Sequence, residues 1–346
     1  MTQNFKLTAL SHGGGCGCKI SPAILGKLLK HIPVPLDSQL LLGCNTADDA
    51  ALYRLNSEQI LIATTDFFMP IIDDPFGFGR IAAANALSDV YAMGGKPILA
   101  LNILGMPTAK VPIEVIEQVS AGGLATCERA DVAVAGGHSI DCNEAFYGLA
   151  VCGLAHPNHI KQNSTAQPGD TLVLGKPLGI GILAAAYQQN KLNAAGYESL
   201  ITYASQLNSV GAELATLDSV HAMTDITGFG LLGHLLEMCN ASKLQAILHA
   251  DDIPLIDQAV GLAADGVISA AGTRNWEHYR HDVGLSDKAK NIQPLLTDPQ
   301  TNGGLLVACA TEAVAQVQDL FIRNGFKEVA TIGQLNNEDS PKVGVI

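Results

Sequence analysis

Short apolar, strand-like runs alternate with helical stretches twice along this chain, and a polar, proline-flanked break at 156–168 (HPNHIKQNSTAQP) separates the two series. That alternation restricts the fold to architectures in which helices cover sheets. In the first series, strands are expected at 59–65, 98–104, 132–135 and 146–155. A helix is expected at 76–93, where Ile81, Ala84, Asn85, Ser88, Asp89 and Ala92 recur at helical spacing, and another at 113–130. A short helix at 22–30 precedes these elements, and 33–46 reads as loop. The second series begins with a strand at 171–174 and a helix from Gly181, then a helix at 198–216, a strand at 220–224 closed by Asp225, and a helix at 229–238. A turn-rich stretch at 298–304 (DPQTNGG) leads to a strand at 305–310, a helix at 312–324 and a last strand. With 346 residues the chain has room for two domains of about 100–200 residues each. Placing the boundary in the break gives a separate glycine-rich loop at 1–20, an N-terminal domain at 21–157 and a C-terminal domain at 158–346.

The stretch from His12 to Lys19 (HGGGCGCK) fits neither helix nor strand. Its four glycines cost backbone entropy on ordering, which suits a part that moves better than a piece of core. Cys16 and Cys18 are soft nucleophiles or ligands as thiolates, and a neighbouring lysine favours the thiolate. Lys19 is a point charge suited to phosphate. The segment therefore reads as a device that brings a soft atom, such as sulfur, selenium or a metal, to a phosphate. The competing reading is a plain disordered terminus, although simple linkers are Gly/Ser-rich and seldom carry Cys-x-Cys-Lys.

The formal net charge of −13 argues against general nucleic-acid binding, which needs a basic face. It also sets a problem for a phosphate ligand, which divalent cations solve by bridging carboxylates to phosphate. Asp66 and Asp225 close apolar runs, Asp49 lies beside Asp48 before a strand, and Asp89 lies on the face of a helix. Singly, such an aspartate is more often a cap or turn residue than a ligand, and only convergence would make these a Mg²⁺ site. Gly136-Gly137-His138-Ser139, after a short apolar run, reads either as an anion-binding turn or as an ordinary glycine turn. The Walker loop, the protein-kinase motif set and the dinucleotide fingerprint are all absent. His12, Cys16 and Cys18 fall short of the four ligands of a structural zinc.

Of the eight cysteines only Cys16 and Cys18 cluster, which suits a reducing compartment. The first residues lack a signal-peptide pattern, and no apolar run reaches the ~18 residues of a spanning helix. The expectation is a soluble, cytoplasmic protein without nucleic-acid or membrane partners. A faint echo between 88–94 (SDVYAMG) and 224–230 (TDITGFG) raises the question of two related halves.

Six ordered segments carry a resemblance: 11–22 (SHGGGCGCKISP), 48–51 (DDAA), 64–97 (TTDFFMPIIDDPFGFGRIAAANALSDVYAMGGKP), 136–141 (GGHSID), 224–234 (TDITGFGLLGH) and 298–306 (DPQTNGGLL). The chain resembles the selenophosphate synthetases, or selenide, water dikinases, of the AIR-synthetase (PurM-like) superfamily. The resemblance implies a two-domain α+β fold, with an N-terminal sheet that forms a dimer barrel with a second copy and a second α+β domain behind it. It implies the reaction ATP + selenide + water → selenophosphate + AMP + phosphate, whose product serves selenocysteine and selenouridine synthesis. Asp49, Asp66, Asp89 and Asp225 would be the metal ligands for several Mg²⁺ ions, with K⁺ a further candidate ion. Asp66, Asp89, Lys19, Gly136, Gly137, His138 and Ser139 would contact nucleotide, Lys19 neutralising phosphate charge. Cys16 would be the cysteine form of a position that is cysteine or selenocysteine, and Asn85 would have a supporting role. Partners would be ATP, selenide, a second copy, and a cysteine desulfurase or selenocysteine lyase that supplies selenide. Two alternatives stand beside this: another PurM-like ligase or kinase, and a thiol-based selenium or metal carrier.

Overall fold

In a computed structural model of the chain, residues 5–10, 13–20, 24, 28, 37–42, 48–337, 339–340 and 342–346 are described. Most of the helix expected at 22–30 and of the loop at 33–46 lies outside the described residues. The first layer comprises β1 (Leu40–Leu42), β2 (Ala51–Arg54), β3 (Ile60–Phe68), α1 (Pro75–Ala92), β4 (Lys96–Met106), α2 (Ile113–Arg129), β5 (Ala133–Asp141) and β6 (Phe146–Ala155). Its strands form a six-stranded sheet in the order β1-β2-β3-β6-β4-β5, antiparallel except for the β4–β5 pair.

The second layer comprises β7 (Thr171–Leu174), α3 (Ile180–Gln188), α4 (Ala194–Ser205), α5 (Val210–Leu214), β8 (Val220–Asp225), α6 (Gly230–Ser242) and β9 (Leu244–Leu248). It continues with α7 (Asp257–Ala264), α8 (Ala270–Tyr279), β10 (Val283–Leu285), α9 (Asp287–Leu296), β11 (Leu305–Cys309), α10 (Val314–Arg323), β12 (Ala330–Asn337) and β13 (Val343–Val345). These strands make a seven-stranded mixed sheet in the order β10-β13-β9-β12-β7-β11-β8. The result is the expected two-sheet α+β fold.

Helix α1 is the centre of the molecule. Asp74 caps it by accepting a bond from Gly77 N at 3.0 Å, and Pro75 occupies its first turn. Its sequence spacing suggests one buried face, yet nearly every residue from Phe78 to Ala92 is buried. A helix buried all round has a neighbour on each side. α1 packs on α2, β3 and β6 and also meets α4, α5 and β8 of the second layer. Gly79 permits the close approach of α2, because a Cβ there would strike the Val119 carbonyl oxygen. One continuous apolar core runs from β2, β3 and α1 into α3 and α4, so α1 carries side chains to the seam between the layers.

Three expected elements differ. The helix at 198–216 is broken into α4 and α5, because Asn208 turns inward and donates to Ser88 Oγ (2.7 Å) and to the Gly303 carbonyl (2.8 Å). The strand at 132–135 does not stop at a glycine turn; β5 continues to Asp141 through a bulge opposite Ala100–Asn102. Asp66 lies within β3 rather than after it. The 88–94 and 224–230 echo falls on a helix in one case and on a strand end in the other, so it marks no equivalent positions.

Candidate active site

The glycine-rich segment is docked at the seam. Residues Gly15–Cys18 form a single 3-10 turn. Gly15 N donates to the Met69 carbonyl (3.0 Å), and Cys16 N donates to Thr301 Oγ1 (3.0 Å). Gly15 has φ +55°, and a Cβ there would run into Thr301, so this position needs glycine. Arg274 Nη2 donates to the Gly17 carbonyl at 3.3 Å.

Docking buries Cys16 and aims its thiol at Asn85 Oδ1, 3.3 Å away. Burial pushes the thiol pKa far up, so Cys16 is a neutral donor here. Lys19 Nζ donates to Asp66 Oδ2 at 2.9 Å, with the lysine side chain 34% exposed. Desolvation works against its charge, but Asp66 above all, with Asp89 beside it, outweighs this and holds the ammonium well above its ordinary pKa. Asn85, fully buried on α1, ties the parts together. It donates to Asp66 Oδ2 (2.7 Å) and its carbonyl oxygen accepts from Asn302 N (2.7 Å).

Four separate segments supply the carboxylates. Asp49 precedes β2, Asp66 is in β3, Asp89 is on α1 and Asp225 ends β8. Burial first, then the charges of Asp225 and Asp89, raise the pKa of Asp49 well above the usual range. Asp89 is raised by burial and then by Asp225 and Asp66, against the pull of Lys19. Burial raises Asp225, with Ser88, His234 and Lys19 pulling it down. The carboxylates thus feel one another, as convergence requires. Thr64 Oγ1 donates to Asp89 Oδ2 (2.5 Å) and Thr224 Oγ1 to Asp49 Oδ1 (3.0 Å). Neither oxygen of buried Asp225 has a partner in hydrogen-bonding geometry, although Ser88 comes near enough to influence it. A buried carboxylate short of donors is suited to a cation. Among the described residues no three His, Cys, Asp or Glu side chains are already gathered around a single metal position. The four form a broad acidic field, which suits several ions shared with phosphate oxygens better than one closed cage.

Gly136, Gly137, His138 and Ser139 are not brought to this field. They are exposed on β5, the edge strand. Register places Asp66, Leu149, Asn102 and Gly137 in one row across β3, β6, β4 and β5. Gly137 is therefore three strand spacings from Asp66, about 14 Å. The neighbouring row, Phe67, Gly148, Ile103 and His138, lies on the outer face. That face exposes Phe67 (48%), Leu101 (41%) and Ile140 (45%).

The second-layer half of the site carries little sequence signal. The 298–304 stretch, expected as a turn-rich lead into a strand, is buried scaffold: Thr301 seats the loop, Asn302 orients Asn85, and Gln300 Oε1 accepts from Gly179 N and Ile180 N. Lys176 is buried and donates to the carbonyls of Tyr203, Gln206 and Asn302. Burial pushes its pKa down to about 7. A lone lysine after a strand gives no hint of that role.

Comparison with known proteins matches residues 47–155 to the AIR synthase related protein N-terminal domain and residues 167–346 to the corresponding C-terminal domain. A selenide, water dikinase of Burkholderia ambifaria (strain MC40-6) is 56% identical over 332 residues, 95% of this chain and 94% of that protein. A selenide, water dikinase of Dechloromonas aromatica (strain RCB) is 50% identical over 346 residues, 99% of each chain. Among solved structures, a thiamine-monophosphate kinase from Stenotrophomonas maltophilia K279a superposes with a TM-score of 0.66 at 22% identity, over 93% of this chain and 94% of the other. At that identity the likeness speaks for the fold alone.

Proposed function

The chain belongs to the AIR synthase-related family, in the branch of the selenide, water dikinases, and from that premise we propose how its residues divide the reaction. It makes selenophosphate from ATP, selenide and water, releasing AMP and phosphate. The observation that carries the assignment of roles is the 2.9 Å Lys19–Asp66 pair, which joins the thiol-bearing loop to the acidic field.

Asp49, Asp66, Asp89 and Asp225 would hold Mg²⁺, whose chemistry is to neutralise the phosphates of ATP against this acidic surface. Asp225, with two oxygens lacking hydrogen-bond donors, is the side chain best prepared for it. Hydroselenide is ionised near neutral pH and is a strong, soft nucleophile. It needs orientation and charge neutralisation more than a general base. Lys19 meets that need: its ammonium is held charged, and with phosphate present it moves from Asp66 to the transferring group. Cys16 serves the selenium. Its neutral thiol offers a soft contact without repelling an anion, and selenide reaching Sγ displaces the 3.3 Å contact to Asn85. Closure of the glycine loop excludes water that would otherwise hydrolyse ATP.

The exposed apolar face of the first sheet is the surface for a second copy. We place Gly136–Ser139 against nucleotide across that interface, since within one copy they lie three strands from Asp66. The test is anaerobic incubation with Mg-ATP and selenide. One AMP, one phosphate and one selenophosphate per ATP are expected; selenide-independent turnover, or ADP as the sole nucleotide product, sinks the assignment.

A further inference from the structure

A cavity of about 610 Å³ opens beside the docked loop. Cys18, Lys19, Gln188, Ser269, Arg274 and Thr301 are among its walls. Among the described residues its lining contains none of Asp49, Asp66, Asp89 and Asp225, and no other aspartate or glutamate. In a chain with a net charge of −13, the described walls of this cavity carry two cations and a thiol without a carboxylate. Lys19 belongs to both regions: it helps line the cavity while its Nζ bonds Asp66.

We propose that this cavity is the entry site for the selenium nucleophile, a hydroselenide-type anion, and that Arg274 is the positioning cation that draws it toward Lys19. The proposal rests on the functional reading above and deepens it. Phosphoryl transfer places attacking and leaving atoms roughly in line. Nucleotide held by the carboxylates occupies one approach to Lys19, so the nucleophile takes the other, and the cavity is that other approach. Charge makes the same choice, because an anion crossing the acidic field meets four carboxylates, whereas through the cavity it meets Arg274, then Lys19. Arg274 is exposed, spends one donor on the Gly17 carbonyl at 3.3 Å and has the rest of its guanidinium for the anion. Cys18, half-buried in the wall, adds a soft contact. The volume far exceeds one hydroselenide ion, so the space also admits selenium still attached to a carrier thiol.

The test compares Arg274→Gln, Arg274→Lys and Ala270→Phe with wild type, using the full chain with Mg-ATP. Arg274→Gln keeps a donor for Gly17 but loses the charge. It is expected to raise KM for sodium hydroselenide about fivefold or more, with KM for ATP and kcat at saturating selenide within about twofold. Arg274→Lys should behave as wild type. Salt should raise the selenide KM of wild type and leave that of Arg274→Gln nearly flat. Ala270→Phe narrows the cavity with its charge intact and should also raise the selenide KM. A second arm supplies selenium from selenocysteine through a selenocysteine lyase. An Arg274→Gln defect in both arms assigns the route to free hydroselenide, and a defect confined to the lyase arm assigns it to selenium still on its carrier. Unchanged selenide KM in Arg274→Gln and in Ala270→Phe, in both arms, overturns the proposal. So does an Arg274→Gln loss that moves kcat and KM for ATP together, which marks a loop anchor only. If wild type makes no selenide-dependent AMP, the functional reading fails instead.

Discussion

At the scale of single residues, the site depends on a few short bonds that cross the chain. Cys16 illustrates the point: its amide rests on Thr301 and its thiol on Asn85. The thiol is a neutral donor only while that pocket is closed. Losing the Thr301 bond costs about 1 kcal/mol, or about a fivefold change in an opening equilibrium. Thr301→Ala should therefore raise the rate of Cys16 alkylation by iodoacetamide by about that factor, scored by peptide mass mapping; an unchanged rate means that Thr301 does not seat the loop. Cys16→Ser should lose selenide-dependent turnover while Mg-ATP affinity stays, and full activity in that variant would remove the thiol from the chemistry. The aspartates drew notice in the sequence by their type and place, but a cap or turn role fitted each one singly, and their grouping as ligands was implied only by the family resemblance. The roles of Thr301 and Asn302 were not legible, because their partners lie 285 and 217 residues away. No local pattern announces such contacts.

At the scale of elements, periodicity located most helices and strands but said little about their surroundings. α1 shows a helical period, yet it is buried on both sides because a second layer closes over it. The break between α4 and α5 answers to Asn208 reaching Ser88 and Gly303, a tertiary demand that overrides helix propensity. Gly136 and Gly137 mark a bulge in an edge strand, a place where glycine is as much at home as in a turn. At the start of α3, buried Asp298 accepts from Ile182 N and Gln300 Nε2, both at 3.0 Å, and from Ser269 Oγ at 3.1 Å. Burial outweighs these bonds and lifts its carboxyl to about 7. The folded state thus binds this proton more tightly than the unfolded chain, whose aspartates titrate near 3.9. Its contribution to stability is fully present below about pH 4 and is lost as pH rises to about 7. Wild type should therefore lose thermal stability relative to Asp298→Asn across that window and hold a constant difference above it. A difference independent of pH would contradict the assignment.

At the scale of the whole molecule, the two layers share a core through α1, and the acidic field and the loop meet at their seam. That helices cover sheets in two series was legible because two runs of apolar segments flank one polar break, while the α+β class itself was implied by the family resemblance. The seam itself was not legible, since nothing in either series says how two layers face each other. The outer face of the first sheet exposes Phe67, Leu101 and Ile140, and under the proposal above it meets a second copy. Phe67→Glu should shift the chain toward monomer in sedimentation experiments and lower activity in parallel; an active monomer would place Gly136–Ser139 outside the chemistry.

The central claim is that Lys19 joins loop and carboxylates into one phosphoryl-transfer site. The most direct measurement pairs Mg-ATP binding by calorimetry with phosphorus NMR of product formation in Lys19→Ala. The account predicts Mg-ATP affinity close to wild type and selenophosphate formation reduced by roughly 10²–10³-fold or more, the scale of one lost charge-stabilising donor. Selenophosphate formation at the wild-type rate in that variant would contradict it.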